Sequence, residues 1–277
     1  MVVMVTGAGG QLGREIVGLN LEGIRFVGID RQALDITNGN QTRQVIHELR
    51  PDAIIHAAAY TAVDKAESEP DAAYSVNAIG TRNVALASDE VGAKFCYIST
   101  DYVFDGTGTR PYETQDAPAP RTVYGRTKLE GERFAEECCR RSFIVRTSWV
   151  YGKHGANFVK TMLQLANQRS EVTVVQDQIG SPTFTLDLAL FLAKLVVSGR
   201  FGVYHASNTG TCSWFEFAKA IFEEAEVKMA VHPCSTEQFP RPAPRPAYSV
   251  LGHEALLKNG FEEFRHWRDA LKDYFKR

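Results

Sequence analysis

The 277-residue sequence predicts an α/β protein built on a doubly wound parallel sheet, with a smaller lobe formed by its C-terminal part. Three observations lead there. Short β-branched runs alternate with helical stretches through the first half, the pattern of a parallel sheet covered on both faces. The first run passes directly into a glycine-rich turn, and the second ends in an acidic residue. After about residue 150 the rhythm changes to longer helical stretches.

Strands are predicted at 2–6, 25–30, 53–57, 94–99 and 143–147, with helices near 11–19, 41–49, 71–91 and 125–140 between them. Five βα units in series place ligands at the carboxyl ends of the strands, so functional residues are sought just after each strand. Residues 1–150 are read as one domain. Residues 151–277 are read mainly as a second lobe, with helices at 157–169, 186–197, 213–226 and 264–276. Strand-like pieces at 172–176 and 203–205 are expected to include segments that return to the sheet. Five of the eleven prolines fall in 232–246, a density that excludes helix or central strand and reads as an extended surface loop.

Composition narrows the function. Lys and Arg total 31 against 33 Asp and Glu, leaving no positive excess to neutralise a nucleic acid or an anionic membrane. The start, Met1 to Gly7, has neither the basic region nor the apolar run of a signal peptide. The most apolar later stretch, 188–197, is interrupted by Lys194 and too short to span a bilayer. A soluble cytoplasmic protein is expected. Its five cysteines, Cys96, Cys138, Cys139, Cys212 and Cys234, show neither CxxC spacing nor a histidine at a metal-binding interval, which fits a reducing compartment and proposes no zinc.

The chemistry begins at Thr6-Gly7-Ala8-Gly9-Gly10-Gln11-Leu12-Gly13, a GxxGxxG turn between a strand and a helix. Side chains at its glycines would keep backbone amides from a pyrophosphate or hold the helix off the strand, and the helix N-terminus adds partial positive charge. Asp30 ends the second strand, where a carboxylate accepts hydrogen bonds from an adenosine ribose. Dinucleotide binding in a Rossmann-type domain follows. Arg31 stands next to it and suits the 2′-phosphate of NADP, so the two residues pull toward NADH and NADPH respectively. Arg31 reads equally well as a solvated surface arginine.

Tyr124 and Lys128 form a YxxxK pair at the start of a helical stretch, with phenol and ammonium one turn apart on one face. A nearby cation is expected to draw the phenol down from about 10 toward neutrality and make it a usable acid or base. The fourth strand ends at Thr100, which brings a hydroxyl to the same sheet edge.

These residues carry a resemblance to the extended short-chain dehydrogenase/reductase superfamily, and within it to the family of dTDP-4-dehydrorhamnose reductases. It runs over nearly the whole chain, through Leu34-Asp35-Ile36, Ala57 to Glu67, Val76 to Thr81, Ser99 to Gly106, Tyr124 to Glu132, Arg146 to Gly152 and Asp177 to Thr183, with Arg245, Pro246, Ser249 and Leu251. The resemblance implies Thr100, Tyr124 and Lys128 as the catalytic trio. It implies Gly7, Gly10, Gln11, Leu12, Asp30, Arg31, Asp35, Ile36, Ala57, Ala58, Ala59 and Asn77, with Tyr124 and Lys128, as contacts to NADPH or NADH. Val63, Asp64, Tyr102 and Trp149 match its sugar and nucleotide contacts. The implied reaction is reduction of the C4 ketone of dTDP-4-dehydro-L-rhamnose by the 1–150 domain and a substrate-binding 151–277 lobe.

Some family members dimerise through magnesium held by acidic helix residues. Glu15 is present, but Phe184-Thr185-Leu186 has no glutamate where the second ligand belongs, so no metal is assigned and a homodimer is left open. Two rivals stand beside the reductase. A nucleotide-sugar dehydratase needs a carboxylate pair after the threonine, whereas Thr100-Asp101 is followed by Tyr102; an epimerase is separated by retaining its cofactor through each cycle. A cofactor-binding regulatory subunit, like that of a methionine adenosyltransferase, needs no proton donor.

Overall fold

The computed structural model describes residues 1–277. Its first half runs β1 (Val2–Thr6), α1 (Gln11–Val17), β2 (Arg25–Ile29), α2 (Gly39–Leu49), β3 (Ala53–His56), α3 (Val63–Ala66), α4 (Pro70–Tyr74), α5 (Thr81–Glu90), β4 (Lys94–Thr100), α6 (Val123–Cys138) and β5 (Ser142–Thr147). The second half adds β6 (Val150–Tyr151), α7 (Phe158–Ala166), β7 (Glu171–Val175), β8 (Ile179–Gly180), β9 (Thr183–Phe184), α8 (Thr185–Val197), β10 (Gly202–His205), β11 (Cys212–Ser213), α9 (Trp214–Glu224), β12 (Ala230–Cys234), α10 (Glu254–Lys258) and α11 (Trp267–Lys276).

Six strands form one sheet in the order β10-β5-β4-β3-β1-β2, with every neighbouring pair parallel. The fold class is therefore the doubly wound parallel sheet that the alternating pattern predicts. The chain runs from β1 to β2 on one side and to β3 on the other. That reversal opens a crevice at the carboxyl ends of β1 and β3. The sixth strand, β10, comes from the second half of the chain and pairs with β5 from Gly202 opposite Phe143 to His205 opposite Arg146.

Strand alternation sorts the core onto two faces. Val3 and Val5 of β1 pack with Ile16 of α1 and Leu188, Leu192 and Leu195 of α8, while Met4 between them packs with Ile46, Val84 and Ala135 on the other face. A separate apolar cluster joins Tyr151, Val159, Phe217, Trp267 and Leu271 and holds the C-terminal lobe together.

Three local expectations need correction. The predicted 71–91 helix is not continuous: α4 passes into a π-helical turn, Ser75–Gly80, before α5 begins. The wider turn places Asn77 inward, where its Oδ1 accepts the Tyr60 N–H at 2.8 Å and its Nδ2 donates to the Thr127 hydroxyl at 3.1 Å. Gly80 lies so close to Ile36 that a Cβ would stand 2.6 Å from its Cδ1. The piece at 172–176 does not join the central sheet but, as β7, pairs in parallel with β12. The start of the proline-rich segment is therefore a strand, and Pro233 is tolerated because β12 is an edge strand of a two-stranded ribbon. No helix is long and apolar enough to cross a membrane.

Helix α6 sits unusually close to the sheet. A Cβ on Gly131 would stand 2.3 Å from the Tyr97 hydroxyl and 2.4 Å from the Asn77 carbonyl oxygen. Gly131→Ala is expected to lower stability by about 1–3 kcal/mol through overpacking, read as an earlier urea midpoint. The control Gly199→Ala, whose Cβ meets nothing within 4 Å, should leave the midpoint unchanged, and equal midpoints for the two variants would contradict this packing.

Candidate active site

The carboxyl ends of the sheet strands open into a cleft of about 1260 Å³. One floor is laid by the start of α6. Thr122 caps that helix, its hydroxyl oxygen accepting the Gly125 N–H at 2.9 Å. Gly125 is required there because a Cβ would stand 2.2 Å from the Tyr102 carbonyl oxygen. The first turn of α6 consequently lies directly on the 3-10 turn Asp101–Val103 that follows β4. Tyr124, Lys128 and Thr100 all line the cleft as a result.

Thr100 and Lys128 are buried and Tyr124 is half-buried, and desolvation sets the protonation of the phenol and the ammonium. The Tyr124 phenol is pushed up to about 12, more than the nearby Thr100 hydroxyl offsets, with the negative charge of Asp101 adding to the rise. Lys128 is 2% exposed and burial draws its ammonium down to about 7, opposed by the charge of Glu132 one turn along α6. Its Nζ donates to the Ile98 carbonyl at 2.6 Å and sits 4.1 Å from the centroid of the Tyr97 ring. Here the sequence expectation is corrected. The cation does not pull the phenol toward neutrality, because it is turned to the sheet and its own charge is penalised by burial.

Under this floor lies a buried ion pair. Arg146 of β5 grips Glu132 of α6 with two bonds, Nε to Oε1 at 2.9 Å and Nη2 to Oε2 at 2.7 Å. The Ser99 hydroxyl of β4 donates to the same carboxylate, and the guanidinium lies 5.1 Å above the Phe104 ring.

The opposite wall is the glycine turn. Gly7 has a left-handed φ of 68° and stands against Ala58, where a Cβ would be 2.6 Å from the backbone nitrogen. A Cβ on Gly13 would be 2.2 Å from the Gly7 carbonyl oxygen, so these two glycines let α1, β1 and the segment after β3 meet. Gly10, Leu12, Ile36, Ala57, Ala58 and Ala59 line the same wall. Asp30 and Arg31 lie exposed at its rim. Asp30 Oδ1 accepts the N–H groups of Gln32 and Ala33, and Asp35 Oδ1 accepts from Thr37. These hydrogen bonds hold the Asp35 carboxyl below its usual range, with a smaller pull from Arg31. The Gln11 side chain is spent on the lobe, donating to the Val150 carbonyl at 3.1 Å and accepting from Asn157 at 2.7 Å.

Of the residues matched to substrate contacts, Val63, Tyr102 and Trp149 line the cleft. Asp64 does not, and neither does Asn77, which the resemblance gave as a cofactor contact. Asp64 binds Arg245 at 2.8 Å and accepts the Ala243 N–H at 3.2 Å, so the proline-rich segment is tied to α3. Asn77 is fully buried and joins the Tyr60 backbone to α6. Trp149 adopts a left-handed φ of 46° and stacks flat on Trp214, ring centroids 3.5 Å apart. Trp214, Ser148, Gly155 and Ala156 also line the cleft and were missed in the sequence, as was the carboxylate of Asp101.

Sheet order, glycine turn and the cluster of Thr100, Tyr124 and Lys128 at the sheet's carboxyl edge define the class: a Rossmann-type dinucleotide-binding fold. The family is more particular. The model of the RmlD substrate binding domain matches residues 1–277, and the chain belongs to that family. It is 46% identical to the spore coat polysaccharide biosynthesis protein SpsK of Bacillus subtilis, over 99% of this chain and 96% of that one. It is 44% identical to a dTDP-4-dehydrorhamnose reductase of Streptomyces griseus, over 98% and 92%. The crystal structure of a dTDP-4-dehydrorhamnose reductase from Bacillus anthracis in complex with NADP superposes with a TM-score of 0.98 at 52% identity, covering 99% of this chain and 98% of that one.

Glu132→Ala would leave the Arg146 guanidinium buried without its partner, a change that costs about 3–5 kcal/mol. The expected result is a loss of that size in chemical unfolding. A loss below about 1 kcal/mol would show that the pair does not hold α6 to β5.

Proposed function

We propose that this chain is an NAD(P)H-dependent reductase that converts the C4 ketone of dTDP-4-dehydro-L-rhamnose to the alcohol, forming dTDP-L-rhamnose. The observation that carries this is the convergence of Thr100, Tyr124 and Lys128 in the cleft that the glycine turn also lines. Full-length relatives of that name support it. The glycine turn fits a dinucleotide, since its close approach to Ala58 leaves the backbone of Gly9 and Gly10 bordering the cleft.

Residues of 1–150 hold the dinucleotide in this reading: the Gly7 to Leu12 turn takes the pyrophosphate, Asp30 and Arg31 the adenosine ribose, and Lys128 the ribose next to the reacting ring. When bound, the cofactor supplies a hydride to the ketone carbon. The chain's own residues manage the charge that then develops on the ketone oxygen. Tyr124, a neutral phenol at pH 7, holds the proton that this oxygen receives. The Thr100 hydroxyl donates a hydrogen bond to the same oxygen. The 151–277 lobe closes the sugar side, its Trp214 backing the wall formed by Trp149, with Val63 and Tyr102 opposite. Asp64 acts through Arg245, and Asn77 through the Tyr60 backbone.

The same proposal places the enzyme in the cytoplasm, supported by five free cysteines. It includes a homodimer, supported by exposed Val17 on α1 and Leu190 and Val197 on the adjoining α8; sedimentation at micromolar concentration tests it. At the position expected of a second acidic ligand, the Thr185 hydroxyl instead donates to Glu15 at 2.8 Å, and no metal is proposed.

The decisive experiment follows NADPH and NADH absorbance with dTDP-4-dehydro-L-rhamnose and a panel of other keto sugars. Net consumption with the named sugar is expected. Bound cofactor that turns over without net consumption would assign an epimerase, and no turnover with any sugar would favour a regulatory subunit.

Tyr124→Phe should bind cofactor normally and turn over roughly two to four orders of magnitude more slowly. A fully active variant would mean that the proton comes from elsewhere. At the rim, Asp30 favours NADH and Arg31 favours NADPH, so the wild type is expected to use both within about tenfold, or roughly 1.4 kcal/mol. Arg31→Ala should shift the ratio of kcat/KM toward NADH, and an unchanged ratio would make the arginine a bystander.

A further inference from the structure

Thr100 has one proton to give, and beside an ionised Asp101 that proton is already engaged. Its hydroxyl donates to Asp101 Oδ1 at 2.9 Å, while its oxygen accepts the Tyr102 N–H at 3.2 Å. A threonine so engaged has only a lone pair left, and a lone pair cannot stabilise the negative charge of a ketone oxygen being reduced. The Asp101 carboxyl meanwhile is 4% exposed, and its second oxygen, Oδ2, is buried with no hydrogen-bond partner. An ionised carboxylate is penalised there, since an unpaired charged oxygen loses its water without compensation.

We propose that Asp101 is a positioning residue that works in its protonated form, donating its own O–H to Thr100 and thereby freeing the Thr100 proton for the ketone oxygen. The proposal rests on the reading of Thr100 as a donor to that oxygen. The same two heavy atoms make the bond in both directions, so no side chain has to move. Thr100 then accepts from Asp101 and from the Tyr102 N–H, filling both lone pairs, and its single O–H points to the cleft. Tyr124 benefits as well. The negative charge of an ionised Asp101 opposes loss of the phenolic proton, and a neutral Asp101 removes that opposition.

The surroundings of Asp101 pull both ways, with burial favouring the neutral acid most strongly. Burial, the largest influence, raises its carboxyl to about 6, while the Thr100 hydroxyl, the neighbouring Ser249 hydroxyl, which lies near without completing a hydrogen bond, and the backbone N–H groups of its own turn favour the charged form. Tyr124 faces it from α6 and Tyr102 from the turn itself, and both feel its charge as repulsion when they ionise. Lys128 titrates in the same cleft, near 7, and contributes its own decline as pH rises. The comparison between wild type and variant therefore carries the test.

Sign follows directly: the protonated form is the active one, so kcat/KM for the keto sugar falls as pH rises through the Asp101 titration. Asp101→Asn keeps a donor toward Thr100 that does not titrate. Between about pH 5.5 and about pH 8 the wild type is expected to lose roughly tenfold more of its kcat/KM than the variant does. Equal declines would overturn the proposal, and so would a variant about a hundredfold slower at the lower pH, which would mean that the carboxylate itself is needed. A second measurement stands apart from turnover and from the variant's folding. Infrared difference spectra of wild-type protein labelled with 13C-aspartate should show the carbonyl stretch of a protonated aspartic acid at about pH 5.5 that disappears on raising the pH. Absence of that band overturns the proposal. If the wild type reduces no keto sugar at all while the band is present, it is the reading of the reaction that fails.

Discussion

The arrangement of the cleft depends on the ion pair between Glu132 and Arg146. Both groups are almost fully buried, and each oxygen of the carboxylate receives one bond from the guanidinium. Such a pair gains little over apolar residues of the same volume, because desolvation consumes most of its attraction. What it supplies is geometry. A bidentate bond fixes both the rotation of α6 about its axis and its height above β5, and Ser99 adds a third point of attachment on β4. Tyr124 and Lys128 lie two turns and one turn earlier on the same helix, so their direction is inherited from that anchor.

Close packing finishes what the ion pair starts. Gly125 and Gly131 bring α6 against the turn after β4 and against Tyr97, distances that no side chain at either position would allow. Nearness has an electrostatic cost, because the same burial that orders the cluster raises the phenol to about 12 and lowers the ammonium to about 7. For a proton donor the first shift is an advantage: the phenol stays protonated across the physiological range. For Lys128 it means that the ammonium holds its proton weakly and is steadied mainly by Ile98, Tyr97 and the charge of Glu132.

Much of this was legible in the sequence wherever a function is local. The strand, glycine turn and acidic residue at 2–30 are set by contiguous residues, and the spacing of Tyr124 and Lys128 follows from one helical turn. Strand ends differ by about a residue because the ladder decides where pairing stops. What stayed hidden depends on distant packing. Trp214 and Arg245 reach the cleft and its outer wall from the C-terminal lobe; Trp214 stands in no pattern that announces a site, and Arg245, part of the resemblance, gave no sign that it pairs with Asp64. Asn77 could be read as important but not as buried, since only the π-helical turn points it inward. The direction of Lys128 toward the sheet is equally a tertiary fact.

Trp149 shows how the two halves share one constraint. Its left-handed backbone costs roughly 1–2 kcal/mol for a residue other than glycine, and strain of that kind persists only where its surroundings impose it. Three neighbours do so. Trp214 stacks on one face of the indole, Gly180 leaves room for it where a Cβ would stand 2.5 Å from the ring, and the Trp149 carbonyl accepts the Thr183 N–H at 3.1 Å. All three belong to the C-terminal lobe, whereas Trp149 follows directly on β5 of the sheet. A shift of the lobe would therefore release the indole, and the wall of the cleft moves only if the lobe does. Gln11 ties the glycine turn to the same region through Val150 and Asn157, so the two ends of the cleft are braced against one body.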